Sequence, residues 1–209
     1  MNIVFISHLT NKISEGPNYS VPASIFAQSK KDNVFWWNRT DAIQEHWVNT
    51  GLFHSVKDID AKKIKELPKP FDKPDLVIFE SYYYLDDLKV ASECVKAKIP
   101  YVIVPRSAFT VNAQKKGQMK KTIANILGFK KMAKFATAIQ YLTEKEKVES
   151  GKRWNQNSFV IPNGIIETEW KKTEFSHNAI NAIYLGRFDP FQKGQDLLID
   201  ACWQMKSEL

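Results

Sequence analysis

Apolar residues in this chain gather in short runs separated by stretches of helical spacing. Asn2 to Ser7, Val34 to Trp37, Asp75 to Glu80, Tyr101 to Val104, Thr137 to Leu142 and Ser158 to Ile161 each read as a strand. Helical spacing predicts a helix over Val21 to Lys30 and a short one over Ile59 to Leu67, stopped by Pro68 and Pro70. A third carries Leu85, Leu88, Ala91 and Val95 on its face. A fourth runs from Lys115 to Lys134 with Met119, Ile123, Ile126 and Leu127 on one side. Thr143 and Glu146 have the spacing of a capping box. Arg39 to Asp58 gives no clear element. Strands alternating with helices predict an α/β chain with a Rossmann-like parallel sheet and helices on both faces. Ligands of such sheets bind at the carboxyl ends of the strands. The loops after Ser7, Glu80, Pro105 and Leu142 are therefore where chemistry is expected.

Beyond Ile161 the pattern changes. Pro162-Asn163-Gly164 is a turn signal, and the following stretch is polar and irregular. The organisation predicted is a first domain over residues 1–165, a linker over 166–178 and a fresh βα unit over 179–209. In that unit Ala179 to Leu185 reads as a strand, Gly186 to Gln192 as a loop and Lys193 to Met205 as a helix. One βα unit cannot bury both its faces. The expectation is a second domain cut short, with apolar surface at Leu197, Leu198 and Met205.

Composition narrows the class. At 44% hydrophobic and 12% aromatic over 209 residues, the chain is globular, not disordered. No apolar run approaches the roughly 18 residues of a membrane span, and Met1 to Ile6 is too short for a signal peptide. Cys94 and Cys202 lie far apart and suit a reducing, cytoplasmic setting. Without a secretory signal, the acceptor patterns at Asn18 and Asn38 read as chance. His8, His46, His54 and His177 are scattered, and none has metal-ligand spacing.

Charge adds more. Between Cys94 and Thr143 stand ten basic residues and no acidic one, so a chain of net charge +7 is negative outside that segment. Such a local field attracts an anionic partner. Lys115, Lys116, Lys120, Lys121, Lys130, Lys131 and Lys134 sit on the predicted helix whose other side is apolar. That pattern suits an anionic membrane surface, and equally a core-packed helix with a solvated outer face. Few aromatics accompany the lysines, which argues against a nucleic-acid partner.

The most specific segment is Gly186-Arg187-x5-Lys193-Gly194-x-Asp196-x-Leu198-Ile199-x-Ala201. Two glycines frame a strand-to-helix loop, and a helix N-terminus with flanking cations favours phosphate. On spacing alone, a solvated surface loop fits as well. Together with Val160-Ile161-Pro162-Asn163-Gly164-Ile165 and the run from Val104-Pro105-Arg106 to Leu142-Thr143-Glu144-Lys145-Glu146, this segment resembles family 4 glycosyltransferases of the GT-B type. The resemblance covers about Pro100 to Leu209, and Met1 to Lys30 more weakly.

That resemblance implies two Rossmann-like domains, an N-terminal one for the acceptor and a C-terminal one for a nucleotide-sugar. It implies retention of anomeric configuration, with no metal or other cofactor. The family's arginine and lysine on the donor diphosphate correspond to Arg187 and Lys193, which are the expected catalytic residues. Gly186 and Gly194 complete the donor loop. Gly16, in Glu15-Gly16-Pro17, stands where the family often has paired glycines near the donor phosphate, and reads equally as a plain turn. Glu80, Arg106 and Ser107 are the expected acceptor-side residues. Some members carry Pro-Arg-Gly where this chain has Pro105-Arg106-Ser107. Arg106 is placed to bind an acceptor phosphate or to neutralise the leaving diphosphate, and also reads as a salt-bridged loop residue, with Glu80 holding it.

The implied partners are a nucleotide-sugar, a saccharide or lipid-linked acceptor, and an anionic membrane on its inner face. The family's two glutamates, eight positions apart, would lie beyond Leu209, in a second domain needing roughly another 150 residues. The 209-residue chain alone is therefore expected to have little or no transferase activity. The competing reading is a non-catalytic acceptor- or membrane-binding module working with a separate donor-binding subunit.

Overall fold

The computed structural model describes residues 1–164, 183–186, 188 and 190–205. It divides into two units, Met1–Ile166 and Glu167–Leu209. In the first unit the elements run β1 (Asn2–Ser7), α1 (Pro17–Ser29), β2 (Asn33–Asn38), α2 (Glu45–Val48), β3 (Phe53–His54), β4 (Leu76–Phe79), α3 (Leu85–Ala97) and β5 (Tyr101–Ile103). They continue with α4 (Val111–Lys115), α5 (Gln118–Ala124), a π-turn (Asn125–Phe129), α6 (Lys130–Phe135), β6 (Ala138–Tyr141), α7 (Glu144–Ser150) and β7 (Ser158–Val160).

All seven strands pair in parallel, in the order β3-β2-β1-β4-β5-β6-β7. This is a Rossmann-like α/β sheet, with its strand order reversing direction between β1 and β4. Two-residue alternation sends successive side chains to opposite faces, and each face has its own core. Ile3, Phe5, Val34 and Trp36 pack with Val21 and Ile25 of α1 and Trp47 of α2. Val4, Ile6, Phe35 and Trp37 pack with Val90, Ala91 and Cys94 of α3 and Met132 and Ala133 of α6. Burial pushes the Cys94 thiol up to about 12.

The structure corrects several expected elements. Helix α1 starts four residues early, because Pro17 has the preset φ of a first helical residue. Ile59 to Leu67 supplies only a single 3-10 turn, Ile64–Glu66. The unassigned stretch from Arg39 to Asp58 holds α2 and β3. Helix α3 buries Asp87, Val90, Ala91 and Cys94; of the expected row only Ala91 is buried and Leu88 half-buried against the core, while Leu85 (67%) and Val95 (42%) are exposed. The expected long helix from Lys115 to Lys134 is three pieces. Gly117 (φ 71°) separates α4 from α5, and Gly128 (φ 147°) interrupts the π-turn. Both angles are ones that residues with a Cβ rarely adopt.

In the second unit α8 (Pro190–Lys193) and α9 (Gln195–Gln204) are described. Gly194 takes φ 64° at the N-cap of α9, so the expected continuous helix breaks there. Ile183, Tyr184 and Leu185 are not in a strand, and the rest of the expected strand lies outside the described residues. Leu197, Leu198 and Met205 are exposed. Among the described residues no helix is long and apolar enough to cross a membrane.

Candidate functional site

The carboxyl edge of the sheet is built from the ends of β1, β4, β5 and β6. Glu80 directly follows β4, and its backbone N–H donates to Ile6 O at 2.8 Å, which fixes it beside β1. Arg106 follows β5. Its Nη2 donates to Glu80 Oε2 at 2.7 Å and its Nε to Glu80 O at 3.1 Å, so the guanidinium grips both side chain and backbone. Nη1 reaches Ser20 Oγ on α1 at 3.2 Å and Asn163 Oδ1 at 3.5 Å. Three other chain segments thus converge on one cation. The Glu80 side chain is 4% exposed and that of Arg106 13%. Burial raises the Glu80 carboxyl above its ordinary value, and the Arg106 charge opposes that rise.

The backbone here is unusual. Arg106 (φ 48°) and Ser107 (φ 68°) are consecutive residues in the left-handed region, which costs about 1–3 kcal/mol at each non-glycine residue. Glu146 helps hold the bend. Its Oε1 accepts from Ser107 N–H at 2.5 Å and its Oε2 from Leu142 N–H at 2.8 Å. Thr143 Oγ1 caps α7 by accepting from Glu146 N–H at 3.0 Å. The side chain expected to close a capping box ties the β5 and β6 loops together instead.

A second cluster lies at the end of β1, beside the point where the strand order reverses. His8 Nε2 and Asp87 Oδ1 are 2.9 Å apart, and both side chains are buried. Tyr84 stacks on the His8 ring at 3.6 Å between centroids. Arg39, after β2, lies over the Trp37 ring and 3.7 Å from Asp86. Asp87 Oδ2 and Arg39 Nη1 are buried without a hydrogen-bond partner. His8 is legible as the residue ending a strand. Asp87 is not, because it sits among leucines at helical spacing and is drawn inward by His8.

The remaining predicted site residues fall elsewhere. Gly16 is the N-cap of α1 with φ −52°, and an added Cβ there would meet nothing within 4 Å. Neither its angle nor its surroundings require glycine. An added Cβ at Gly186 would come 2.9 Å from Tyr184 Oη. Lys193 ends α8, and its carbonyl accepts from Tyr184 Oη at 3.2 Å. Arg187 lies outside the described residues.

The basic segment is resolved from α4 to α6. Met119 (76%), Ile123 (53%), Ile126 (79%) and Leu127 (70%) are exposed, so the predicted apolar side is not packed into either core. Lys115, Lys116, Lys120, Lys130, Lys131 and Lys134 are also exposed. Lys121 is the exception. Its ammonium donates to Ala113 O and lies 5.8 Å from the Tyr83 ring centroid, and burial lowers its pKa. Among the described residues no three His, Cys, Asp or Glu side chains gather as a metal site would need.

No family model, curated protein or solved structure matches the chain. The functional reading therefore rests on motif and geometry.

Proposed function

We propose that the first unit is the acceptor-binding domain of a retaining glycosyltransferase of the GT-B type, acting in polysaccharide or glycolipid assembly. The observation that carries this reading is Arg106. It is a cation held by Glu80 on a strained bend at the carboxyl edge of a Rossmann-like sheet, where such folds bind ligands. In the reaction, the bond between the anomeric carbon and the donor diphosphate oxygen breaks. The acceptor hydroxyl oxygen bonds to the same face of that carbon, and its proton passes to the leaving phosphate. The chief electrostatic demand is the charge on the departing diphosphate, which fixed cations offset without reorganising. Arg187 and Lys193 take that role on the donor side, and Arg106 holds an acceptor phosphate or adds to the neutralisation.

The exposed apolar and basic side chains of α4 to α6 support a place on an anionic membrane, where a lipid-linked acceptor would be met. They support that part of the non-catalytic, membrane-binding reading as well. Transfer separates the two. The protein at its natural length is assayed for nucleoside diphosphate release from UDP-, GDP- and ADP-sugars with lipid-extract acceptors. Acceptor-dependent release is expected, and Lys193→Ala lowers kcat/KM by about 100-fold or more. Absence of release from every donor, with no nucleoside diphosphate bound, overturns the enzymatic reading.

A further inference from the structure

A cavity of about 480 Å³ opens within the α4–α6 segment and is closed on another side by Arg153 and Trp154. Its charge is one-sided. Lys115, Lys130 and Arg153 line it, and no acidic side chain does. None of the three cations forms an ion pair with a described acidic residue. One wall is rigid. Tyr83 Oη lies 3.1 Å from both Gln114 Oε1 and Asn125 Oδ1, with one proton to give between them, and Gln114 Nε2 donates to Ala108 O at 2.6 Å. The Trp154 side chain is fixed by its indole N–H, which donates to Phe109 O at 3.2 Å, and by stacking on Phe109 at 4.2 Å. Gln118 and Thr122 add polar groups that are not used in that wall.

The apolar part of the lining matters equally. Val111 and Ile126 line the cavity and are themselves exposed, and Ile126 belongs to the same exposed stretch as Met119, Ile123 and Leu127. A cavity for a free anion has no use for an apolar rim. One for an anionic headgroup does, because the attached acyl chains must leave along an apolar surface. A phosphate monoester carries close to two charges and three acceptor oxygens. That matches a guanidinium, which can grip two oxygens, and two ammonium groups, which act as point charges.

We propose that this cavity binds the phosphate monoester headgroup of a membrane lipid. The proposal rests on reading α4 to α6 as membrane-facing and is independent of sugar transfer. It separates two kinds of lysine on one segment. Lys115 and Lys130 act at a defined site with Arg153, while Lys120, Lys131 and Lys134 lie outside the cavity and contribute only general attraction to negative charge.

The test is co-sedimentation with phosphatidylcholine vesicles containing either phosphatidic acid, a monoester, or phosphatidylglycerol, a diester, at matched surface charge. The wild-type chain is expected to bind the monoester vesicles about tenfold more tightly, a preference that polybasic attraction alone does not give. Lys115→Gln/Lys130→Gln/Arg153→Gln abolishes the preference. Lys120→Gln/Lys131→Gln/Lys134→Gln weakens binding to both vesicles and keeps the ratio. All six residues are exposed, so both triple variants are expected to fold, which circular dichroism checks before vesicle binding is compared. An unchanged ratio in the first triple variant overturns the cavity assignment. Binding of inorganic phosphate without binding of phosphatidic acid vesicles overturns the lipid as its source. Failure of the wild-type chain to bind any anionic vesicle overturns the membrane reading beneath it, and leaves the transfer assay to be judged separately.

Discussion

The carboxyl edge of the sheet and the α4–α6 segment use the same kinds of residue in opposite ways. At the edge, charge is turned inward. Arg106 is paired with Glu80, and His8 with Asp87, in surroundings that exclude most water. In the α4–α6 segment six lysines stand exposed, and six large apolar side chains stand exposed beside them. A buried pair rarely adds much net stability, because desolvation offsets attraction, but losing one member is costly. An exposed cation costs little to keep or to lose. The edge is thus built to hold a fixed geometry, and the segment to present a surface. That difference is the physical reason to assign positioning chemistry to one and docking to the other.

The comparison can be broken inside two turns of chain. Phe129 is 1% exposed, and its carbonyl accepts a hydrogen bond from Tyr82 Oη, whereas Leu127 is 70% exposed. Phe129→Ala is expected to cost about 3–5 kcal/mol in urea unfolding. Leu127→Ser is expected to stay within about 0.5 kcal/mol while weakening vesicle binding. Equal effects would mean that Leu127 packs on something, and the surface assignment would fail.

At the sheet edge, Arg106→Met leaves Glu80 buried without its partner, at an expected cost of about 3 kcal/mol at pH 7. The sign with pH follows from the carboxyl. Burial already holds its folded-state pKa above the ordinary 4.5, and removing the cation raises it further. A raised folded pKa contributes stability that is complete below the unfolded value and lost as pH rises through the folded one. The Arg106→Met penalty should therefore grow from pH 5 to pH 8 and shrink towards acid. A penalty flat across that range would mean that Glu80 is solvated in the variant.

Much of this was readable from sequence, for definite reasons. Strand runs such as Ile3 to Ile6 and Val34 to Trp37 are apolar on both sides because helices cover both faces of the sheet, so their existence did not depend on knowing the register. That the loops after β1, β4 and β5 meet at one edge was legible, because a parallel sheet gathers its loops there. The pairing of Glu80 with Arg106 was expected from their places at neighbouring strand ends, but other tertiary pairing was hidden. Asp87 looks like an exposed helix residue until His8 is beside it. Arg153 is remote from the lysine run in sequence and joins it only through the cavity. Helix spacing also misled at Lys115 to Lys134, where two glycines with positive φ cut a periodic pattern into three.

The finest contrast is between two neighbours. Lys120 and Lys121 are adjacent and chemically identical, yet Lys121 turns its ammonium to the Ala113 carbonyl in α4 and Lys120 does not. A hydrogen bond from a charged donor to a half-buried carbonyl contributes about 1 kcal/mol net after its competition with water. Lys121→Met should lower stability by about that amount, because the carbonyl loses a donor, and should leave vesicle affinity nearly unchanged. Lys120→Met should do the reverse, leaving stability alone and lowering affinity for anionic vesicles about fivefold, as expected for one lysine near a charged surface. Unfolding and co-sedimentation on the same pair of variants decide it. If Lys121→Met weakens vesicle binding as much as Lys120→Met, the inward ammonium is not held at α4 when the membrane is present, and the segment must rearrange as it docks.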